Sequence, residues 1–158
     1  MKPESNHYFT FFEWCYKDIQ PKIIAEKYIE QMDGKLLDYK FFCFNGKSIY
    51  CQIDVDRFTN HTRCFYDMKY KKQEFTTCYP YYKGEVVCPQ KFAEMKKIVQ
   101  TLSGKFPHVR VDLFVIDNQI YVGEMTFFHG AGMEKFDPPK WDKKLGDLLT
   151  LSSKKNNM

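Results

Sequence analysis

The residues best suited to chemistry lie on two neighbouring predicted strands, 108–116 and 119–127. Side chains alternate along a strand, so Arg110 and Asp112 share one face of the first strand, and Glu124 lies on one face of the second. If the connecting turn takes three residues, Asp112 comes opposite Glu124, with their Cβ atoms roughly 4.5–5.5 Å apart. Two carboxylates that close repel each other unless a cation lies between them, and oxygen ligands suit Mg²⁺. Arg110 would then be placed for an anionic group such as a phosphate.

The length of the turn between these strands decides whether the two carboxylates meet. A two-residue turn at Asp117-Asn118 shifts the register by one residue and places Asp112 and Glu124 on opposite faces of the sheet. The pattern of residues therefore leaves two interpretations open. One is a cation site, and the other is a set of unrelated polar residues on an open sheet face.

The segments around this hairpin predict an α+β domain. Further strands are predicted at 22–29, 37–44, 48–56 and 63–68. Asn45-Gly46 predicts a type I′ hairpin turn between the second and third of these. Helices are predicted at 89–103, where apolar residues recur at helical spacing, and at about 139–150. A mostly antiparallel sheet with flanking helices belongs to the α+β class.

The chain divides into three predicted parts. Residues 1–21 form an aromatic N-terminal segment with no core partner of its own, residues 22–151 form one domain, and residues 152–158 form a disordered tail. The length of 158 residues agrees with a single domain.

Composition excludes several classes of protein. The formal net charge is +4, which is too small a surplus to indicate a nucleic-acid partner. No apolar run reaches the ~18–20 residues of a transmembrane helix. The N-terminus lacks the apolar region of a signal peptide, so we expect a cytoplasmic location. The six cysteines contain no C-x-x-C pair, which argues against a zinc site.

Five ordered blocks of sequence resemble one protein family. The blocks are IIAEKYIEQMDGK, DYKFFCFNGK, DRFTNHTRCFYD, FPHVRVDLFVIDNQIYVGEMTFFHGAG and KWDKKLGDLL. Together they resemble the C-terminal portion of TupA-like ATP-grasp proteins, which are linked to teichuronopeptide and surface-polysaccharide synthesis. The resemblance implies an ATP-grasp-like fold and ATP-dependent ligation, in which ATP phosphorylates a carboxylate and an amine displaces the phosphate.

The resemblance also implies a nucleotide hinge between Glu26 and Ile29. The Glu26 carbonyl would accept a hydrogen bond from the adenine amino group, and the Ile29 N–H would donate one to the ring. Lys27 and Tyr28 lie between these two contacts, and Asp33 is a weaker candidate for the ribose hydroxyls.

The second hairpin resembles the metal hairpin of the family. Asp112 and Glu124 would hold Mg²⁺ between the ATP phosphates, and Arg110 would contact phosphate. Thr126 stands where most ATP-grasp enzymes have an asparagine ligand, as it does in the TupA-like branch. Lys40 would contact phosphate or an acidic substrate.

Arg57 and Arg63, two further positions in the matching blocks, would also contact phosphate or an acidic substrate. His129, in the loop that follows the hairpin, is interpreted as an inert and exposed residue.

The resemblance implies that further parts are needed for activity. An ATP-grasp enzyme clamps its nucleotide between two subdomains, and this chain begins close to the expected hinge. We therefore expect a partial ATP-grasp chain, and three interpretations stay open: a fragment, a subunit that pairs with a separate N-terminal lobe, or a degenerate remnant. Its ligands would be a nucleotide and a carboxylate or sugar-derived substrate.

Two alternatives to a ligase remain open. One is a non-catalytic module that binds nucleotide or pairs with a partner. The other is a glycosyltransferase-like protein of polysaccharide biosynthesis, for which Asp54-Val55-Asp56 is the one D-x-D motif seen.

Overall fold

A mostly antiparallel sheet organises the part of the chain that the computed structural model describes, which is residues 12–20, 22–26 and 36–151. The strands there are β1 (Asp38–Phe44), β2 (Lys47–Val55), β3 (Thr62–Asp67), β4 (Lys72–Gln73), β5 (Thr76–Thr77), β6 (His108–Ile116), β7 (Gln119–Thr126) and β8 (Phe136–Asp137), and the helices are α1 (Phe92–Ser103) and α2 (Lys140–Gly146). Six strands form one sheet in the order β4-β3-β2-β1-β6-β7, and β5 pairs with β8 in a second, two-stranded sheet. The α+β class is thereby confirmed.

The predicted hairpin of β1 and β2 is present, with its turn at Asn45-Gly46. Asn45 and Gly46 have positive φ angles of 50° and 75°, the conformation of a type I′ turn. A Cβ at Gly46 would overlap the carbonyl oxygen of Gly104, the residue that ends α1. Only glycine therefore allows the β1–β2 turn to pack against the end of the helix.

One face of the sheet packs against α1. Met95 and Val99 of the helix are fully buried against residues such as Phe41 and Ile53 of the sheet. Burial of each such side chain stabilises the fold by roughly 1.5–3 kcal/mol. This core fixes β1, β2 and β6 side by side, so that their opposite face is held rigidly.

The opposite face is divided into an aromatic half and a charged half. The aromatic half is closed by α2, where Trp141 stacks on Phe75 with ring centroids 4.0 Å apart, and Phe75 stacks on Phe65 at 4.2 Å. The charged half, which we call the charged face, carries the buried polar residues Asp38, Lys40, Gln52, Asp54, Arg63, Arg110 and Asp112.

The prediction of a strand at 22–29 is wrong for its described part. Residues 22–26 form no strand, and the side chains of Ile23 and Ile24 are 93% and 76% exposed. A strand needs a neighbour for its backbone groups, and the described edge strands β4 and β7 do not pair with this segment. Residues 27–29 lie outside the described part of the chain, as do the predicted tail and most of the N-terminal segment.

Both predicted helices exist but are shorter than expected. Helix α1 begins at Phe92, three residues after Pro89, and α2 ends at Gly146. The residues after Gly146 continue in turns, with Leu149 N donating to Gly146 O at 3.0 Å. Glycine is a poor helix former, so the early end of α2 follows from its own sequence. Neither described helix is long and apolar enough to cross a membrane.

Candidate functional site

Asp112 lies at the centre of the charged face. Its residue is 1% exposed, and its carboxylate is bound by cations from two strands. Lys40 Nζ on β1 donates to Oδ2 at 2.8 Å, and Arg110 donates through Nε to Oδ1 and through Nη2 to Oδ2, both at 2.7 Å. A buried carboxylate is tolerated only when it is paired and hydrogen-bonded in this way.

Arg110 connects Asp112 to two further groups. Its Nη2 also donates to Glu124 Oε1 at 2.6 Å, and its Nη1 lies 2.7 Å from His129 Nδ1. Burial alone would lower the pKa of Arg110, but hydrogen bonds from its guanidinium to Asp112 and the charges of Asp112 and Glu124 raise it above its ordinary value. The guanidinium is thus a fixed cation between two carboxylates.

The register of β6 and β7 explains how Asp112 and Glu124 meet. Asp117 and Asn118 form a two-residue turn with positive φ angles, and Ile116 pairs with Gln119. The three-residue turn is therefore excluded. A two-residue turn alone would separate the carboxylates, and the expectation that they then lie on opposite faces is wrong.

A β-bulge in β7 restores the common face. Val111 pairs with Met125 while Leu113 pairs with Val122, so Gly123 and Glu124 together lie opposite Asp112. The extra residue returns Glu124 to the side of Arg110. A Cβ at Gly123 would come within 2.6 Å of the Phe114 ring. A glycine inside a strand is the sequence signal that indicates such a bulge.

Lys40 is shared between two carboxylates of the charged face. It forms ion pairs with Asp112 and with Asp38, and Arg57 Nη1 lies 3.4 Å from Asp38 Oδ2. Burial raises the pKa of Asp38, and the charge of Lys40 offsets only part of this effect. Lys40 therefore lies within the same cluster as Arg110.

Asp54 and Arg63 form a second ion pair on the charged face. Arg63 Nε donates to Asp54 Oδ1 at 2.6 Å, and His61 Nε2 lies 3.3 Å from the same atom. Burial would raise the pKa of Asp54, but the hydrogen bonds and charges of Arg63 and His61 lower it. The first carboxylate of the D-x-D motif is thus bound within the sheet, while Asp56 follows β2 with a positive φ of 52°.

His129 belongs to the cluster, and its interpretation as an exposed loop residue is wrong. Its side chain is only 10% exposed. Nδ1 lies 2.7 Å from Arg110 Nη1, which can only donate, and Nε2 lies 3.1 Å from Glu134 Oε2. Loop residues carry no periodicity, so only the proximity of this loop to Thr126 in sequence could have indicated the contact.

Glu134 is a functional candidate that the sequence analysis missed. Burial would raise its pKa, but the hydrogen bond to His129, with help from Thr77 and Arg63, lowers the pKa to about 2. Glu134 lies over Gly130, where any Cβ would overlap its side chain. The glycine in the loop therefore makes room for this carboxylate.

The oxygen atoms of Asp112, Glu124 and Thr126 fit the ligand chemistry of Mg²⁺. They are hard donors on two adjacent strands, and Thr126 Oγ1 lies 3.1 Å from Glu124 Oε1. The Glu124 side chain is 61% exposed and can turn toward a ligand. Among the described residues no three acidic, histidine or cysteine side chains converge as a ready metal centre. An ion here would therefore take further ligands from phosphate or water.

The expected adenine hinge is not brought together with this cluster in the described residues. Glu26 is exposed, and Lys27, Tyr28, Ile29 and Asp33 lie outside the part of the chain that the structure describes. Their roles remain predictions.

A cavity of about 530 Å³ adjoins the cluster on its aromatic side. It lies between β1, the loop after β7 and α2, and His129 and Glu134 line its end toward Arg110. The same sheet face therefore combines a charged cluster with an apolar pocket.

Comparison with known proteins relates the chain to a family. A family model described as TupA-like ATPgrasp matches residues 1–150. No curated protein and no solved structure matches the chain.

Proposed function

The chain belongs to the TupA-like ATP-grasp family, and on that premise we propose that it acts in an ATP- and Mg²⁺-dependent ligase that joins a carboxylate to an amine. The product would be a cell-surface polysaccharide or a teichuronopeptide. The observation that carries the proposal is the buried cluster in which Arg110 bridges Asp112 and Glu124 while Lys40 binds Asp112.

The cluster supplies what phosphoryl transfer requires of a protein. Catalysis of that reaction depends mostly on positioning and on neutralising the charge of phosphate oxygens. Asp112 binds Lys40 and Arg110 at once, so a single carboxylate orients two cations on neighbouring strands. Because this carboxylate is buried, it holds the two cations in fixed positions on neighbouring strands, where they would contact an anionic group.

Asp112, Glu124 and Thr126 would hold the metal ion. A bound Mg²⁺ would neutralise charge on the phosphates of ATP. Exposed Glu124 would exchange its bond to Arg110 for other partners most easily, and one Nη2 N–H of Arg110 would then donate to phosphate while Nε and the other Nη2 N–H keep their bonds to Asp112. Asp112 meanwhile stays fixed between Lys40 and β6. Glu26, Lys27, Tyr28 and Ile29 would bind adenine, and Asp33 would bind ribose, as the family resemblance implies.

A second candidate is a module that binds nucleotide without catalysis. The cations of the cluster are already paired with protein carboxylates, since Lys40 contacts Asp38 and Asp112, and Arg110 contacts Asp112 and Glu124. Such pairing favours a stable binding surface over a reactive one. Phosphate release that depends on added amine would favour the ligase. Nucleotide binding without amine-dependent phosphate release would favour the non-catalytic module.

Calorimetric titration with a non-hydrolysable ATP analogue tests the nucleotide site. We expect binding that requires Mg²⁺, and we expect Asp112→Asn to weaken it roughly 10- to 100-fold, as for the loss of a charged hydrogen-bond partner worth ~1.5–3 kcal/mol. Glu124→Gln, at a more exposed position, gives the same test with less risk to folding.

Asp117→Asn is the matched control for both variants. It removes the same charge from the exposed turn of the same hairpin and should leave binding unchanged. Equal affinities for Asp112→Asn, Glu124→Gln and the control would contradict the proposed metal site.

A further inference from the structure

The cavity beside the cluster has the size and the walls of a small-molecule site. Its volume of about 530 Å³ lies within the roughly 300–1,000 Å³ typical of ligand pockets. Aromatic side chains of β1 and of the loop after β7 line it, among them Phe42, Phe44, Phe127 and Phe128. Flat aromatic walls suit an apolar or ring-shaped ligand body.

The charged groups among the described lining residues are negative. Glu134 and Asp142 are the carboxylates of the lining, and the low pKa of Glu134 keeps it ionised at neutral pH. His108 also lines the cavity, and burial lowers its pKa, which keeps its ring neutral. The cavity therefore favours a cation and disfavours an anion.

His129 and Arg63 connect the acidic end of the cavity to the charged face. His129 Nε2 lies 3.1 Å from Glu134 Oε2, Nδ1 of the same ring lies 2.7 Å from Arg110, and Arg63 Nη1 lies 3.4 Å from Glu134 Oε2. A positive group bound at Glu134 would thus be a close neighbour of the residues proposed to contact phosphate.

We infer that this cavity binds a primary amine whose apolar or ring-shaped body packs on the aromatic walls and whose ammonium group pairs with Glu134. The inference rests on the proposed function only where it makes this amine the acceptor of the ligase. Binding itself needs neither nucleotide nor metal. Glu134 acts as the group that recognises the ammonium and not as its base, because a carboxylate of such low pKa holds a proton poorly.

The test is an NMR titration of the nucleotide-free chain with benzylamine, benzyl alcohol and benzoate. These probes share one ring and differ in the charge of the head group. We expect benzylamine to bind at least tenfold more tightly than benzyl alcohol, benzoate to bind most weakly, and shifts to concentrate at residues lining the cavity. Equal affinities for the amine and the alcohol would overturn the inference.

Gly146→Leu blocks the cavity without threatening the fold. Gly146 lines the cavity, and a Cβ placed on it meets no atom within 4 Å. Leucine also favours the helix more than glycine does. The matched control is Lys143→Leu, which adds leucine to the exposed side of the same helix. Benzylamine binding should be lost in the first variant and retained in the second, and retention in both would contradict the assignment.

Glu134→Gln separates charge recognition from apolar packing. The variant keeps the shape of the side chain and should reduce the preference for benzylamine over benzyl alcohol to less than threefold. An unchanged preference for benzylamine over benzyl alcohol would show that Glu134 does not recognise the ammonium group.

The nucleotide titration is independent of these measurements. Amine binding without nucleotide binding would support the amine site and contradict the ligase, whereas nucleotide binding without amine binding would contradict the amine site and leave the nucleotide site supported.

Discussion

Removing the ammonium of Lys40 should destabilise the fold through the carboxylates that it leaves behind. In Lys40→Met, Asp112 keeps both bonds from Arg110, but Asp38 keeps only Arg57, which lies 3.4 Å away with a side chain that is 54% exposed. Breaking a buried ion pair costs ~3–5 kcal/mol of stability. Because Asp112 keeps its bonds from Arg110, we expect the free energy of unfolding of this variant to fall by ~3 kcal/mol. With urea slopes of about 1–3 kcal/mol per molar, the unfolding midpoint should fall by roughly 1–3 M.

The loss should shrink at lower pH, and the direction follows from Asp38. Its pKa is raised in the folded chain, so the folded state takes up the proton before the unfolded state does as the pH falls. A group of that kind adds stability on acidification. Loss of the Lys40 charge raises this pKa further. The difference in midpoint between the variant and the wild type should therefore narrow as the pH is lowered from about 8 to about 5.

Two further variants serve as controls for the Lys40→Met measurement. Lys143→Met removes an exposed lysine that pairs with Asp147 at 2.7 Å, and it should cost at most ~0.5 kcal/mol. Adding Asp38→Asn to Lys40→Met removes the stranded charge and should recover at least half of the loss. A loss that is independent of pH and unrelieved in the double variant would refute the electrostatic reasoning and assign the effect to packing.

Two other predictions concern the stability of the fold at low pH and the β-bulge at Gly123. Glu134 has a pKa of about 2 against an ordinary value of 4.5, so its stabilisation is full above the ordinary value and is lost as the pH falls toward 2; urea midpoints of Glu134→Gln and the wild type should converge over that interval, and a constant gap would contradict the assignment. Gly123→Ala introduces a Cβ within 2.6 Å of the Phe114 ring and should cost ~1–3 kcal/mol in urea unfolding while weakening Mg²⁺-dependent nucleotide binding. Unchanged binding would show that the bulge does not position Glu124.

The sequence predicts the local elements well where neighbouring residues decide them. Alternation and the Asn45-Gly46 turn lead to β1 and β2 because a type I′ turn needs two positive φ angles in succession. Spacing of apolar residues likewise predicts α1. The strand at 22–26 fails because a strand depends on a partner, and no local pattern states whether one is present.

The candidate site is less accessible from sequence because it depends on register. The meeting of Asp112 and Glu124 results from two features together, a two-residue turn and a bulge at Gly123, and each alone would separate the carboxylates. His129 and Glu134 join the cluster through tertiary contacts of a loop. The resemblance to a family supplied the cluster residues that alternation could not pair.

The turn at Asn45-Gly46 and the turn at Asp117-Asn118 differ in how freely their side chains can be changed. Asn45 donates to Leu148 O at 2.8 Å and to Pro107 O at 2.9 Å, and Gly46 packs against the end of α1. One short turn thus contacts two segments that are distant in sequence, the connection between α1 and β6 and the residues after α2. Asp117 and Asn118 form a turn of the same type in an exposed position. A side-chain label therefore belongs at 117–118, where it leaves the length of the turn and the register of β6 and β7 unchanged.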